Sequence, residues 1–278
     1  MKDDAAIGTE DAAALFSRRS SDFGREDGLR RFPQFGRRLV ETARLSPGMQ
    51  VLDIATGRGA LLFPAAEHVG PTGRVVGIDL APGMVQATAK DIEQRGLANV
   101  EVRQMDAEQL DFPEASFDAL VCGFGLMFFP HLAQALAGFR RVLRPGGVLA
   151  VSTWAKPDAA FEWERDLWRT YGIAERRPDR LMVQRLEEAS ELAAVLEAAG
   201  FHDIEIRSEV DTPSRADEDE WWALMSGGGL MRNALESIGA EQAERFRAEA
   251  YEHLRSLRGP GGISQRIEAL FARARNPL

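Results

Sequence analysis

From residue 49 onward, apolar and polar positions fall into two alternating rhythms. Short runs dense in β-branched and aliphatic residues read as strands: MQVLDIA at 49–55, RVVGIDL at 74–80, VEVRQMDA at 100–107, FDALVCGF at 117–124 and VLAVSTWA at 148–155. Between them the apolar spacing turns helical, from about 60, over 82–95 and over 132–143. Strands alternating with helices predict βαβ units and a parallel sheet. The connection LRPGGV at 143–148 fits a helix stopped by Pro145 and Gly146 before a buried strand.

The flanks are different. Residues 10–46 carry Leu15, Phe16, Phe32, Phe35, Leu39, Val40 and Ala43 at helical spacing, broken near Gly24, Gly28 and Pro33, and predict two or three helices ahead of the core. Past Trp154 the pattern predicts helices over 162–172 and 186–199, the latter ending at Gly200, and a strand over 203–211. ADEDEWW at 216–222 opens further helices to about Leu257, and a Gly-Pro-Gly-Gly turn at 259–262 precedes ISQRIEALFARARN. By propensity that stretch is a helix; the turn before it favours a strand over 268–274.

The densest chemical signal is VLDIATGRGAL at 51–61, an apolar strand running into a turn with Gly57 and Gly59 and then a helix. Missing β-carbons let backbone approach a ligand at the carboxyl end of a strand, where open α/β sheets bind. With Gly57 and Gly59 as the first two glycines of a dinucleotide-phosphate pattern, Leu62 stands where the third is wanted, and Asp53 brings negative charge to the turn, which suits a cation better than a pyrophosphate. Asp79 ends the next strand, placed to accept hydrogen bonds from ribose hydroxyls, and Asp106 ends the third, where it meets an adenine amino group or merely caps a helix.

Composition narrows the ligand. With 34 basic and 43 acidic residues the net charge is −9, which opposes binding to a phosphate backbone, so a nucleic-acid partner is not expected. The single cysteine, Cys122, excludes an intrachain disulfide and a Cys-rich metal cage, and fits a reducing, cytoplasmic setting. No apolar run reaches the length of a membrane span, and the opening MKDDAAIGTED is acidic where a secretory signal is basic.

The succession VLDIATGRG, GIDLAPGM, MDAEQLDFPEASFD and FRRVLRPGGVLAVSTWA resembles the class I S-adenosylmethionine (SAM)-dependent methyltransferases, in particular the ubiquinone/menaquinone C-methyltransferase-like group, over roughly residues 37–156. The resemblance implies a Rossmann-like, seven-stranded, mostly parallel sheet whose last strand is antiparallel beside the sixth, with helical cap additions. It implies one methyltransferase domain over 1–278: an N-terminal helical cap at 1–46, a SAM-binding core at 47–156 and a helical insertion at 213–258 between strands six and seven. It implies SAM as cofactor and a small-molecule acceptor, secondary-metabolite or quinone/prenyl-like, with a homodimer as the assembly to consider. Asp53, Gly57 and Gly59 are then expected at the methionine end, Asp79 at the ribose, Leu80 and Met84 against the adenine, and Asp106 and Ala107 at its edge, with Cys122 counted among the cofactor-side positions.

On the acceptor side, Phe124 and Phe128 after the fourth strand either pack the core or wall an apolar pocket; Trp154 and Trp222 either pack caps onto the core or hold an aromatic or prenyl substrate; and Arg232 either anchors an anionic substrate or is solvated. His131 is either a general base for a hydroxyl acceptor or a surface residue at a helix start. Residues 10–35 and 213–258 are expected to cover that pocket. No Asn/Asp-Pro-Pro-Tyr/Phe motif and no Asp-Asp-Asn type cluster follows the fourth strand, so neither amino-group methylation of nucleic acid nor a metal site is indicated. Rival readings are a non-methylating enzyme of the same fold and a SAM-binding regulatory protein.

Overall fold

The computed structural model describes residues 9–20, 31–174, 182–184, 186–227 and 229–278. The breaks expected at Gly24 and Gly28 lie outside these residues. Two helices, α1 (Thr9–Arg19) and α2 (Arg31–Ala43), precede the sheet. Then β1 (Gln50–Ile54), β2 (Arg74–Asp79), β3 (Val100–Gln104), β4 (Phe117–Gly123) and β5 (Leu143–Trp154) alternate with α3 (Leu62–Val69), α4 (Pro82–Arg95) and α5 (Leu132–Val142). The strand β5 begins at Leu143, ahead of Pro145 and Gly146, and a register shift between Phe117 and Ala119 absorbs the extra residues.

Beyond β5 come α6 (Glu162–Thr170), α7 (Ala189–Ala198) and β6 (His202–Asp211), then β7 (Ser214–Arg215), α8 (Glu218–Gly227), α9 (Gly229–Ile238), α10 (Ala240–Leu257), β8 (Ile263–Ser264) and β9 (Ile267–Arg275). The stretch over 268–274 is therefore a strand, whatever its helix propensity. The seven-stranded sheet runs β3-β2-β1-β4-β5-β9-β6, with β1 to β5 parallel and β9 antiparallel to both neighbours. This is the mostly parallel, Rossmann-like architecture that the sequence resemblance implies.

Period-two alternation divides each central strand between two cores. Leu52, Ile54, Val76, Ile78, Leu120 and Cys122 face a layer that includes Leu136 and Phe139 of α5 and Leu192 and Leu196 of α7. Val51, Val75, Ala119 and Val121 face the other, against Phe35 and Leu39 of α2 and Leu62 and Ala65 of α3. Gly36 lets α2 lie directly on the turn after β1, since a β-carbon there would sit 2.3 Å from the Ala60 carbonyl oxygen. The helices between β6 and β9 bury an interior of their own: Leu167 and Trp168 of α6 meet Met231, Leu235, Phe246 and Ala250.

Asn276 fastens β9 to the end of α5. Its Nδ2 donates to the carbonyls of Arg140, Leu143 and Arg144 at 3.1, 3.0 and 3.2 Å, supplying a donor where helix carbonyls have none. Asn276→Leu leaves the buried Leu143 carbonyl without this donor, along with its two part-buried neighbours, and is expected to cost about 1–3 kcal/mol. Urea unfolding followed by circular dichroism checks this; an unchanged midpoint removes the clamp.

Candidate functional site

The order of the sheet sends the chain one way from β1 to β2 and the other way to β4, and the crevice at that switch opens at the carboxyl ends of the strands. A cavity of about 410 Å³ occupies it. Its floor begins at the turn after β1, where Ala55 and Gly57 take positive φ, +53° and +52°. A β-carbon on Gly57 would meet nothing within 4 Å, so the space above that backbone is kept for something else. Gly59 differs: it does not line the cavity, and a β-carbon on it would strike the Phe63 ring at 2.5 Å. One glycine of the pair opens the site and the other lets α3 pack.

Asp79, at the end of β2, holds the turn. Its Oδ2 accepts from the Gly57 N–H at 2.8 Å and its Oδ1 from the Ala81 N–H at 2.9 Å. Burial raises its pKa and these N–H donors oppose the rise. Thr88 of α4 donates its hydroxyl to the Gly57 carbonyl at 2.7 Å, so the turn is gripped from both sides. Asp53 lies behind the wall rather than in it. Its Oδ2 accepts from the Thr56 hydroxyl at 2.6 Å, Thr56 lines the cavity, and Oδ1 is buried with no hydrogen-bond partner. Burial, with the Asp79 charge nearby, pushes the Asp53 carboxyl up to about 7.

Leu80, Met84, Asp106 and Ala107 continue the wall. The Asp106 carboxylate also accepts from the Glu108 N–H at 2.9 Å and the Gln109 amide at 3.3 Å, so it closes a turn as well as facing the cavity. At the other end the wall is aromatic. Phe124, itself at φ +56°, stacks on Trp154 with centroids 4.1 Å apart, and Phe32 meets both edge-on at 5.5 and 5.8 Å. Phe16 meets Phe128 edge-on at 5.4 Å.

Several expected site residues lie elsewhere. His131 is exposed as the residue preceding α5; its backbone N–H donates to Glu108 Oε1 at 2.6 Å, and it does not line the cavity, which removes it as a base within this wall. Cys122 is fully buried on the α5 face of the sheet because strand alternation turns it into the core, and burial raises its thiol pKa. Trp222 packs near Phe246 and Tyr251 inside the insertion, and Arg232 is exposed on α9. Among the described residues, none of 213–258 lines the cavity, so the insertion is not its cover. Its apolar side is already spent on α6.

The cap is supplied by the N-terminal helices: Ala12, Ala13, Phe16 and Arg19 of α1 and Phe32 and Pro33 of α2. The spacing 12, 13, 16, 19 marks one face of a helix and was readable as such. Met105, Glu108 and Met182 also line the cavity and carry no sequence signal that sets them apart. Among the described residues there is no cluster of three or more groups able to hold a metal ion, and no helix long and apolar enough to cross a membrane.

Comparison with known proteins adds the family. Residues 51–147 match the model of a methyltransferase domain. Aklanonic acid methyltransferase DauC of Streptomyces sp. (strain C5) is 37% identical over 202 residues, 67% of this chain and 89% of that protein. The ubiquinone/menaquinone biosynthesis C-methyltransferase UbiE of Ectopseudomonas mendocina (strain ymp) is 42% identical over 119 residues, 42% of this chain and 46% of that one. The structure of Haemonchus contortus phosphoethanolamine N-methyltransferase 2 in complex with S-adenosyl-L-methionine shares the fold at 16% identity, with a TM-score of 0.56 covering 88% of this chain and 53% of that one.

The buried Asp53 makes stability depend on pH in a definite direction. Its folded pKa, about 7, lies above the ordinary 3.8, so the folded state holds the proton more tightly and stability falls as pH rises from about 4 to about 7. At about 1.4 kcal/mol per pH unit, the ligand-free protein loses about 3 kcal/mol between pH 5 and pH 8 through this group. Asp53→Asn is expected to lose that much less over the same interval. Parallel wild-type and variant curves from urea unfolding at both pH values would exclude the buried charge.

Proposed function

The chain belongs to the class I SAM-dependent methyltransferases that act on small molecules, and on that premise we propose how its cavity divides the two reactants. Asp79 takes the ribose of SAM, Leu80, Met84 and Ala107 pack its adenine with Asp106 at the edge, and Gly57 leaves room for the donor beside the turn. A planar, largely apolar acceptor lies against Phe16, Phe32, Phe124, Phe128 and Trp154. The observation that carries this reading is that one cavity is lined at one end by strand-end carboxylates and at the other by stacked aromatics. The relatives named for aklanonic acid and for ubiquinone/menaquinone support a ring-bearing acceptor of this kind. The net charge of −9 weighs against a nucleic acid in its place, and the single, buried cysteine suits a reducing compartment such as the cytoplasm.

The residues present fit SAM. The strand-end carboxylates of Asp79 and Asp106 line the cavity, and the open space above Gly57 admits a ligand at the backbone. SAM supplies a methyl group on a sulfonium, whose departure needs no proton. What the protein adds is alignment and a dry wall. Aromatic rings exclude water from the acceptor end, and holding two reactants in line contributes about 7–11 kcal/mol to such reactions. With His131 outside the wall, positioning carries the mechanism.

Incubation with methyl-labelled SAM and a panel of planar ring-bearing acceptors is expected to give a labelled organic product and an equal amount of S-adenosylhomocysteine. Binding of SAM without release of S-adenosylhomocysteine across the panel would favour a regulatory or non-methylating role. Asp79→Ala should weaken SAM binding at least tenfold by calorimetry, because hydrogen bonds to a charged group are worth about 1.5–3 kcal/mol. Gly57→Ala, the smallest side chain at this positive φ, should weaken binding at least tenfold with the circular dichroism spectrum retained; unchanged affinity in either variant would move the donor elsewhere.

A further inference from the structure

Arg58 follows the glycine that opens the cavity and itself borders it, while its guanidinium reaches across to join two helices. Its Nη2 pairs with Asp91 of α4 at 2.5 Å, with the two side chains 14% and 26% exposed. Its Nη1 donates to the Ser20 carbonyl just past the end of α1, also at 2.5 Å. A helix ends in carbonyls without intrahelical donors and carries partial negative charge there, so a guanidinium is the suited partner. The approach is close elsewhere too: a β-carbon on Gly83 of α4 would sit 2.6 Å from the Ser17 carbonyl oxygen, and the Gly83 N–H donates to Ser17 Oγ at 3.3 Å. Thus α1, which brings Phe16 to the wall, rests on α4 and on the residue next to Gly57.

We infer that Arg58 is a positioning residue: it couples occupancy of the donor turn to the seating of α1, and thereby sets the acceptor wall. The N–H and the carbonyl of Gly57, the latter in the peptide that joins it to Arg58, are held by Asp79 and Thr88. A ligand filling the space above Gly57 stiffens that backbone, and the guanidinium passes the restraint to the carboxyl end of α1. Asp91 keeps the guanidinium aimed, since a buried arginine with one charged partner has few other orientations. Donor binding therefore seats Phe16 before the acceptor arrives. Loss of the guanidinium uncouples the two events without removing the groups assigned to the donor itself.

This inference rests on the donor reading of the cavity, and the test separates the two. S-adenosylhomocysteine serves as the probe, its affinity measured by calorimetry for wild type, Arg58→Ala, Arg58→Lys and Asp91→Asn. The same samples are exposed to trypsin, and cleavage at Arg18, which is exposed on α1, is followed by mass spectrometry. In wild type the probe is expected to slow cleavage at Arg18 at least tenfold. In Arg58→Ala it still binds, within about tenfold of wild-type affinity, but slows cleavage less than twofold; Arg58→Lys recovers part of the protection, and Asp91→Asn loses part of it. In turnover, Arg58→Ala raises KM for the acceptor more than KM for SAM. Equal protection in wild type and Arg58→Ala overturns the coupling, and so does normal protection in Asp91→Asn should Arg58→Ala fail to fold. Failure of the probe to bind wild type overturns the donor reading and the coupling with it.

Discussion

The Asp79 carboxylate is the tie on which the site depends. One oxygen takes the N–H of Gly57, the other the N–H of Ala81, so the turn after β1 and the entry to α4 are fixed to the end of β2 by a single side chain. A backbone at φ +52° is readily adopted by glycine, and the bond to Asp79 fixes it in that one of the many conformations open to glycine. The grip has a cost: burial opposes the charge that makes it, and Asp53 stands nearby with a second carboxylate. Of the two acids only Asp79 faces the cavity; Asp53 stays behind the wall.

Much of this was legible in the chain. Strands and helices of the core announce themselves by period, and the strand-end acids by their place after apolar runs. Phe124 and Phe128 could be read as wall or core with equal justice, because a residue just past a strand serves either; Phe124 does both, packing into the core beneath α2 and lining the cavity. His131 was ambiguous for the same reason. One residue nearer the cavity, Pro130 lines the wall, while the histidine at the helix start turns to solvent. Cys122 was misjudged because proximity to the carboxyl end of a strand does not say which face a side chain takes.

The larger misjudgement concerned the insertion. Aromatic residues at 221 and 222 beside a complete core suggested a cover, yet pairing between distant helices is invisible to local pattern. Leu167 and Trp168 of α6 present an apolar stripe that must be buried, and α9 and α10 bury it. The N-terminal helices, with fewer large residues, are the ones left to reach the cavity. Which helix covers a site is decided by which faces remain unclaimed after the helices have packed on one another.

The position of β9 has a consequence for how the molecule is made. It lies between β5 and β6 in the sheet although it follows both in the chain, and β6 has no other neighbour there. On the ribosome β6 therefore emerges, and waits through the whole of α8 to α10, before the strand that joins it to the sheet is synthesised. Throughout that interval the growing chain displays the unpaired edge of β5 and a β6 with neither edge paired, of the kind that recruit other chains. Glu205, Arg207 and Glu209 share one face of β6 and put charge beside its waiting edges.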